Sequence, residues 1–118
     1  MTRDAATALV AREIIAFRDS RNVRNTDAAW RALERAHILS QPYLGLHLTN
    51  HWEMLTFAIF ERDTREIIGQ IVRLALAPLG SLTGRIPIGN TGRSNVSAFR
   101  PMPVPEDLRN FIENVAES

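Results

Sequence analysis

The sequence predicts an all-α domain of two packed antiparallel helical hairpins, resembling a tetratricopeptide pair, with a long ordered loop and a short C-terminal helix. Three observations predict this class. The 118 residues suffice for one hydrophobic core. Apolar residues recur at helical spacing over nearly all of the first two thirds of the chain. Nine of the twelve Gly and Pro residues lie between Pro78 and Pro105, so the regular helices are expected to precede Pro78.

The first hairpin is predicted from two amphipathic stretches. The first helix is expected over about residues 4–19, and a polar turn follows it. Asn25 or Thr26 is expected to cap the second helix, because both side chains accept hydrogen bonds from a helix N-terminus. Trp30, Leu33 and His37 share one face of that helix. Pro42 then marks the break before the next helix.

The second hairpin follows the same plan. The third helix is predicted over residues 44–60, and the spacing from Asp63 to Glu66 is that of a capping box at the start of the fourth. The fourth helix is expected to end at Ala77, because proline disrupts a helix interior. Pro42 and Pro78 lie 36 residues apart, close to the ~34-residue tetratricopeptide period. The chain is thus predicted to form two hairpins side by side.

The domain organisation is predicted as one helical domain over residues 1–118. Residues 1–78 form the two α-hairpins, residues 79–105 an extended covering loop, and residues 106–118 the C-terminal helix, which starts after Pro105 with two acids in its first turn. The apolar side chains of Ile86, Ile88, Val96, Phe99 and Met102 predict that the loop packs on the helices. A loop of this length in a compact domain is often functional.

Composition excludes several kinds of chemistry. The chain has no cysteine, so disulfides, Cys-ligated metals and thiol catalysis are excluded. All 14 basic residues are arginine, which excludes the lysine chemistry of Walker-type loops and Schiff bases. The net charge of +1 and the scattered arginines predict no nucleic-acid partner. No signal peptide or membrane-length apolar run is present, so a cytoplasmic protein without a membrane partner is expected.

The three histidines are the most informative residues. His37, His47 and His51 lie within fifteen residues of one another. His47 and His51 are one turn apart on the apolar face of the third predicted helix. If the second and third helices are antiparallel about the turn at Pro42, His37 faces His47, and Trp30 lies opposite Met54. Three imidazoles are therefore predicted to converge between two helices.

Such a set favours a metal site. Two histidines at i and i+4 suit one ion, and Glu34 precedes His37 by three residues, as in half of a di-metal bundle motif. Since a second such motif is missing, a single divalent ion on His37, His47, His51 and Glu34 is predicted, with zinc, nickel, copper or iron as candidates. The alternative is a hydrogen-bonded network in which the histidines are structural and the loop supplies partners. In either case Asn90 and Asn95 are the loop residues expected to contact the site.

The chain resembles a family of small bacterial proteins classed as a domain of unknown function (family 3703). The resemblance covers nearly the whole chain and is carried by three motifs: Leu33-Glu-Arg-Ala-His37-Ile-Leu-Ser-Gln41, His47-x-x-x-His51-Trp-x-Met54, and Pro87-x-Gly-Asn-Thr-Gly92-x-x-Asn95-Val-Ser97 continuing through Pro101-Met-Pro-x-Pro-x-Asp-Leu108. Arg93 departs from the small residue expected at its position. Because the family has no established activity, the resemblance implies no reaction.

Three functions are consistent with these observations. The leading hypothesis is a small cytoplasmic metal-binding or metal-responsive protein with its site between the second and third helices. The second is a helical-repeat interaction module with structural histidines, bound to a protein partner or to a second copy of itself. Exposed apolar residues on the outer helix faces would favour it. The third is a small metal-dependent enzyme, which an open cleft above the histidines would favour. No catalytic residue is assigned.

Overall fold

The computed structural model describes residues 1–84 and 87–117 and confirms the all-α class. Within these residues there are five helices and no strand: α1 Arg3–Asn22, α2 Thr26–Ser40, α3 Leu44–Phe60, α4 Thr64–Thr83 and α5 Glu106–Glu117. The bounds of α3 are those predicted. None of the helices in these residues has a stretch apolar and long enough to cross a lipid bilayer.

The helices pack in the predicted order. α1 packs along α2 to form the first hairpin, α3 packs along α4 to form the second, and α2 packs against α3 between them. α5 returns to the first hairpin, where Leu108 is fully buried in a cluster with Val10 and Leu39. The α2–α3 contact is therefore central, and it lies where the sequence predicts the histidine site.

Side-chain caps define where three of the helices begin. Thr2, Asn25 and Asp63 each accept a hydrogen bond from a backbone N–H three residues ahead, at 3.1–3.2 Å. These bonds satisfy donors that a helix N-terminus leaves free. At Asp63 the predicted capping box is only half formed. The Glu66 carboxylate turns away from the cap and bonds to the loop instead.

The predicted end of α4 at Ala77 is wrong. The helix continues through Pro78 for five more residues and ends at Thr83, so the loop begins near residue 84 and not at 79. Proline removes one backbone hydrogen bond but can be accommodated inside a long helix. The helix is terminated by Gly84, whose φ of 71° is left-handed and whose N–H donates to the Gly80 carbonyl. The added turn extends the wall that α4 presents to the loop.

An aromatic cluster lies between the hairpins. The rings of Phe17 and Trp30 each meet the ring of Phe57 edge to face, with centroids 5.2 and 5.0 Å apart. Met54 is fully buried in the same cluster as Trp30. Trp30 and Met54 thus lie in one core cluster, as their predicted facing requires.

The loop between α4 and α5 covers the helices, but hydrogen bonds hold it more than apolar packing does. Residues 85 and 86 of the predicted loop lie outside the described residues. Ile88 and Phe99, expected to pack, are mostly exposed. The Gln41 side chain instead donates to the Pro87 carbonyl at 2.9 Å and accepts from the Gly89 N–H at 3.1 Å. The loop backbone is thus fixed by polar side chains of the helices.

Replacing Trp30 with Ala tests the α2–α3 register. Trp30 is 5% exposed and Trp52 is 58% exposed. We expect Trp30→Ala to lower the free energy of unfolding by ~3–5 kcal/mol, because a large buried side chain is lost. Trp52→Ala is the matched control and should change it by less than about 0.5 kcal/mol. Denaturant titration measures both, and similar losses would contradict the buried position of Trp30.

Candidate metal centre

The hairpin formed by α2 and α3 brings the three histidines together. His37 lies in the last turn of α2, while His47 and His51 lie one turn apart on α3. The Asn50 side chain, between the two α3 histidines, donates to the Leu33 carbonyl of α2 at 3.1 Å. This bond fixes how α3 sits on α2, so the three rings face one another as the sequence predicts.

The three Nε2 atoms form a nearly equilateral triangle. Their separations are 3.0 Å for His37–His47 and 3.1 Å for each of the other two pairs. All three side chains are buried, with 2–7% of their surface exposed. Each nitrogen lies about 1.8 Å from the centre of this triangle, within the ~2.0–2.1 Å length of a Zn–N bond. The rings therefore share a common point that one ion could occupy.

The tautomer of His37 is fixed by the loop. Its Nδ1 lies 2.6 Å from the backbone carbonyl oxygen of Asn90. A carbonyl only accepts, so Nδ1 carries the proton and donates it. In the neutral ring the Nε2 atom then has a lone pair, and this lone pair is directed at the other two histidines.

The tautomer of His51 is fixed by Gln70 on α4. The Gln70 Nε2 donates to Glu66 Oε2 at 3.1 Å and to the Gly92 carbonyl at 2.8 Å. Because both partners accept, the amide oxygen must be the atom that lies 2.7 Å from His51 Nδ1. His51 therefore donates from Nδ1, and its Nε2 also presents a lone pair to the triangle.

Neutral imidazoles alone do not satisfy this arrangement. His37 and His51 direct lone pairs at each other across 3.1 Å, with no proton between them. His47 can supply one Nε2 proton to one neighbour only, and its buried Nδ1 has no hydrogen-bond partner within the described residues. A cation at the centre would satisfy all three lone pairs.

Burial disfavours protonation as the source of that positive charge. Loss of solvent lowers the pKa of His37 well below the usual value of 6.5, and the neighbouring histidines lower it further. The same loss of solvent lowers the pKa of His47 and of His51 to about 4. At neutral pH all three rings are therefore uncharged, as metal ligands must be.

A cavity of about 360 Å³ lies against the histidines. One wall is the C-terminal half of α4, from Arg73 to Thr83, and the opposite wall is the loop from Pro87 to Phe99. The three histidines line it as well. The site therefore has one side from which a water molecule or a ligand could reach a bound ion.

Comparison with known proteins identifies the family. The family model described as "Protein of unknown function (DUF3703)" matches residues 4–112. The chain belongs to this family. No curated protein and no solved structure matches the chain. The resemblance seen in the sequence is thereby confirmed.

The fourth predicted ligand of this DUF3703 protein, Glu34, is not brought to the histidines. The only residues of the described part whose donor atoms cluster closely enough for an ion are His37, His47 and His51. The Glu34 carboxylate instead lies 3.7 Å from the Arg93 guanidinium. Arg93 also bonds Glu66 at 2.5 Å and stacks over the Trp30 ring, with 3.9 Å from Cζ to the ring centroid.

The two predicted loop contacts have different outcomes. Asn90 is buried and bonds His37 through its carbonyl, while its side chain holds the loop through Ser97, Arg100 and the Gly92 N–H. Asn95 is exposed. The Gly89–Gly92 turn brings the Asn90 carbonyl to His37.

Sequence reasoning missed the residues of α4 that support the site. Glu66, Gln70 and Arg73 follow at intervals of four and three residues, so they share one face of an otherwise apolar helix. All three are buried. A polar stripe of this kind on a helix that must pack was the signal that could have located them.

Gly92 controls how closely the loop approaches His37. Its φ is 81°, and a Cβ there would lie 2.6 Å from His37 Cδ2. Gly84 is a matched control, because its φ is 71° and nothing lies within 4 Å of a Cβ there. We expect Gly84→Ala to lower the free energy of unfolding by ~1–2 kcal/mol from the backbone conformation alone. Gly92→Ala should lose a further ~1–3 kcal/mol from overpacking. Equal losses in thermal or denaturant unfolding would contradict the close contact.

The pH dependence of the metal-free protein tests the burial of the histidines. Their folded pKa values lie below 6.5, so the unfolded chain binds more protons between pH 6.5 and about 4. The contribution of the neutral histidines to the free energy of unfolding is therefore complete above pH 6.5. It is lost as the pH falls through that range, by up to ~1.4 kcal/mol per pH unit for each histidine. Urea titrations with a chelator present measure it. His47→Asn should reduce the slope, and stability unchanged down to pH 5 would contradict the buried, neutral rings.

Proposed function

We propose that this chain is a small metal-binding protein that holds one divalent first-row transition ion on His37, His47 and His51. The observation that carries the proposal is the convergence of three Nε2 atoms within 3.0–3.1 Å, two of them with lone pairs directed inward. Without a cation this arrangement is repulsive, and with one it is satisfied. A location in the cytoplasm stays a prediction from the sequence.

The geometry suits a three-nitrogen site with an open side. For bonds of ~2.0–2.1 Å the observed triangle gives N–metal–N angles of about 95–100°, between tetrahedral and octahedral values. Imidazole ligands suit zinc, nickel, copper and iron. The Asn90 carbonyl and the Gln70 amide orient two of the rings through Nδ1, and such partners commonly raise metal affinity. Three neutral ligands leave the full charge of the ion in place.

Metal analysis tests the proposal directly. Protein purified without a His tag and incubated with zinc is expected to retain about one ion per chain after gel filtration, measured by elemental analysis. His47→Asn and His51→Asn should each lose the ion and keep the helical circular dichroism signal. Glu34→Gln is the matched control: it should keep the ion, because Glu34 pairs with Arg93. Wild-type protein without bound metal after exposure to zinc, nickel, copper and iron would overturn the proposal.

A second candidate function is supported by the outer face of α4. Ile68, Ile71, Val72 and Leu82 are 47–83% exposed on this helix. Exposed apolar residues at helical spacing on one face are typical of surfaces that bind another helix. They favour a protein partner or a second copy of the chain. This candidate is compatible with the metal site, since these residues lie on α4 and the ligands on α2 and α3.

A further inference from the structure

The cavity beside the histidines has a positive end, Arg73, which forms no ion pair within the described residues. Arg73 lines the cavity and is only 9% exposed. Its terminal nitrogens donate to the carbonyls of Gly69 and Val96, while its Nε has no hydrogen-bond partner within the described residues. In that part of the chain no carboxylate oxygen lies within 4.0 Å of the guanidinium. A buried charge without a partner is costly.

The two arginines near the site differ in this respect. Arg93 is neutralised by Glu34 and Glu66. Gln70 bonds both Glu66 and His51, and the Glu66 carboxylate already accepts from Arg93, Ser94 and Gln70. Glu66 attracts Arg73 only at longer range, so Arg73 has no ion pair of its own. An ion held by three neutral imidazoles would add two further positive charges there.

The rest of the cavity is mostly apolar. Leu76, Ala77 and Leu79 of α4 and Ala98 and Phe99 of the loop line it, beside the polar residues Gln41, Thr83 and Asn90. Its volume of about 360 Å³ corresponds to roughly twelve water molecules at ~30 Å³ each. A ligand matched to this space is small, with one anionic end and an apolar remainder.

We infer that this cavity binds a small aliphatic or aromatic monocarboxylate, its head group between Arg73 and the ion on the three histidines and its tail between α4 and the loop. The second positive charge rests on the proposed metal site. A carboxylate fits better than a phosphate because its two oxygens need only two partners, one on the ion and one on Arg73. Gly69 and Val96 already accept from two of the five guanidinium N–H donors of Arg73.

Calorimetric titration with hexanoate tests the inference on the full chain, first shown by elemental analysis to hold zinc. Hexanoate is expected to bind at least tenfold more tightly than 1-hexanol or inorganic phosphate, and at least tenfold more weakly once zinc is removed. From acetate to hexanoate each added CH₂ should raise affinity about fourfold, because the tail is buried. If phosphate binds as tightly as hexanoate, the cavity is a site for inorganic oxyanions and not for carboxylates. If 1-hexanol binds as tightly as hexanoate, the charge of the ligand plays no part. Either result overturns the inference.

Variants separate the charge from the shape of the cavity. Arg73→Gln should weaken hexanoate binding at least tenfold while the zinc content stays at one per chain. Arg65→Gln, at an exposed position on the same helix, is the control and should leave hexanoate binding unchanged. Ala77→Leu fills the cavity without altering charge, so it should weaken hexanoate and leave acetate unaffected. It keeps the test decisive if Arg73→Gln does not fold. Unchanged hexanoate binding in Ala77→Leu would overturn the inferred location.

The two proposals fail in different ways. If the wild-type chain takes up no metal, the proposed function fails. Titration of hexanoate into the metal-free chain then tests the carboxylate site without the ion. Hexanoate binding that depends on Arg73 and on tail length supports this site, and binding that depends on neither overturns it. If zinc binds with the expected stoichiometry and hexanoate does not bind, the metal site stands and the carboxylate site is wrong.

Discussion

The mutual approach of three buried imidazole nitrogens is the constraint on which the surrounding structure depends. His37 and His51 direct lone pairs at each other across 3.1 Å, and this contact is repulsive unless a cation lies between the rings. Each ring must also be held against that repulsion. The α2–α3 packing supplies part of the force through the Asn50–Leu33 bond, and the loop supplies the rest through the Asn90 carbonyl on His37. Binding of an ion by these rings would therefore be coupled to the packing of these elements.

The covering loop depends on the same network. A buried backbone segment without secondary structure must place its N–H and C=O groups on side chains. Gln41, Gln70 and Arg73 do this for the Pro87, Gly92 and Val96 carbonyls. Gln70 joins the two systems, because one amide bonds His51 on one side and the loop on the other. A change in the loop therefore reaches the histidines directly.

The sequence predicted the parts that follow from local periodicity. The starts of α2 and α4, the bounds of α3 and the facing of His37 with His47 and His51 all follow from caps and from the 3.6-residue repeat. The continuation of α4 through Pro78 did not, because tertiary packing and the Gly84 stop outweigh the local preference of proline.

The partners of the site residues were the hardest part to predict. Glu34 was expected to reach the metal because it precedes His37 by one turn, but it lies beside Arg93, a residue 59 positions later in the chain. Contacts of this kind depend on where a long loop returns, and no local pattern encodes that position. The polar stripe on α4 was visible in the sequence, but which groups would meet it was not.

The distribution of charge follows from this arrangement and gives the site its direction. Glu34 and Glu66 converge on Arg93, beside Trp30, so the negative charge near the site is used within the protein. The uncharged Gln70 stands between that cluster and His51. A carboxylate in place of Gln70, hydrogen-bonded to His51 Nδ1, could partly neutralise the charge of a bound ion. An amide instead orients the ring and would leave the charge of a bound ion uncompensated. The protein thus combines three uncharged imidazoles, a neutral supporting amide and a buried arginine, an arrangement that would favour an anion beside the proposed ion.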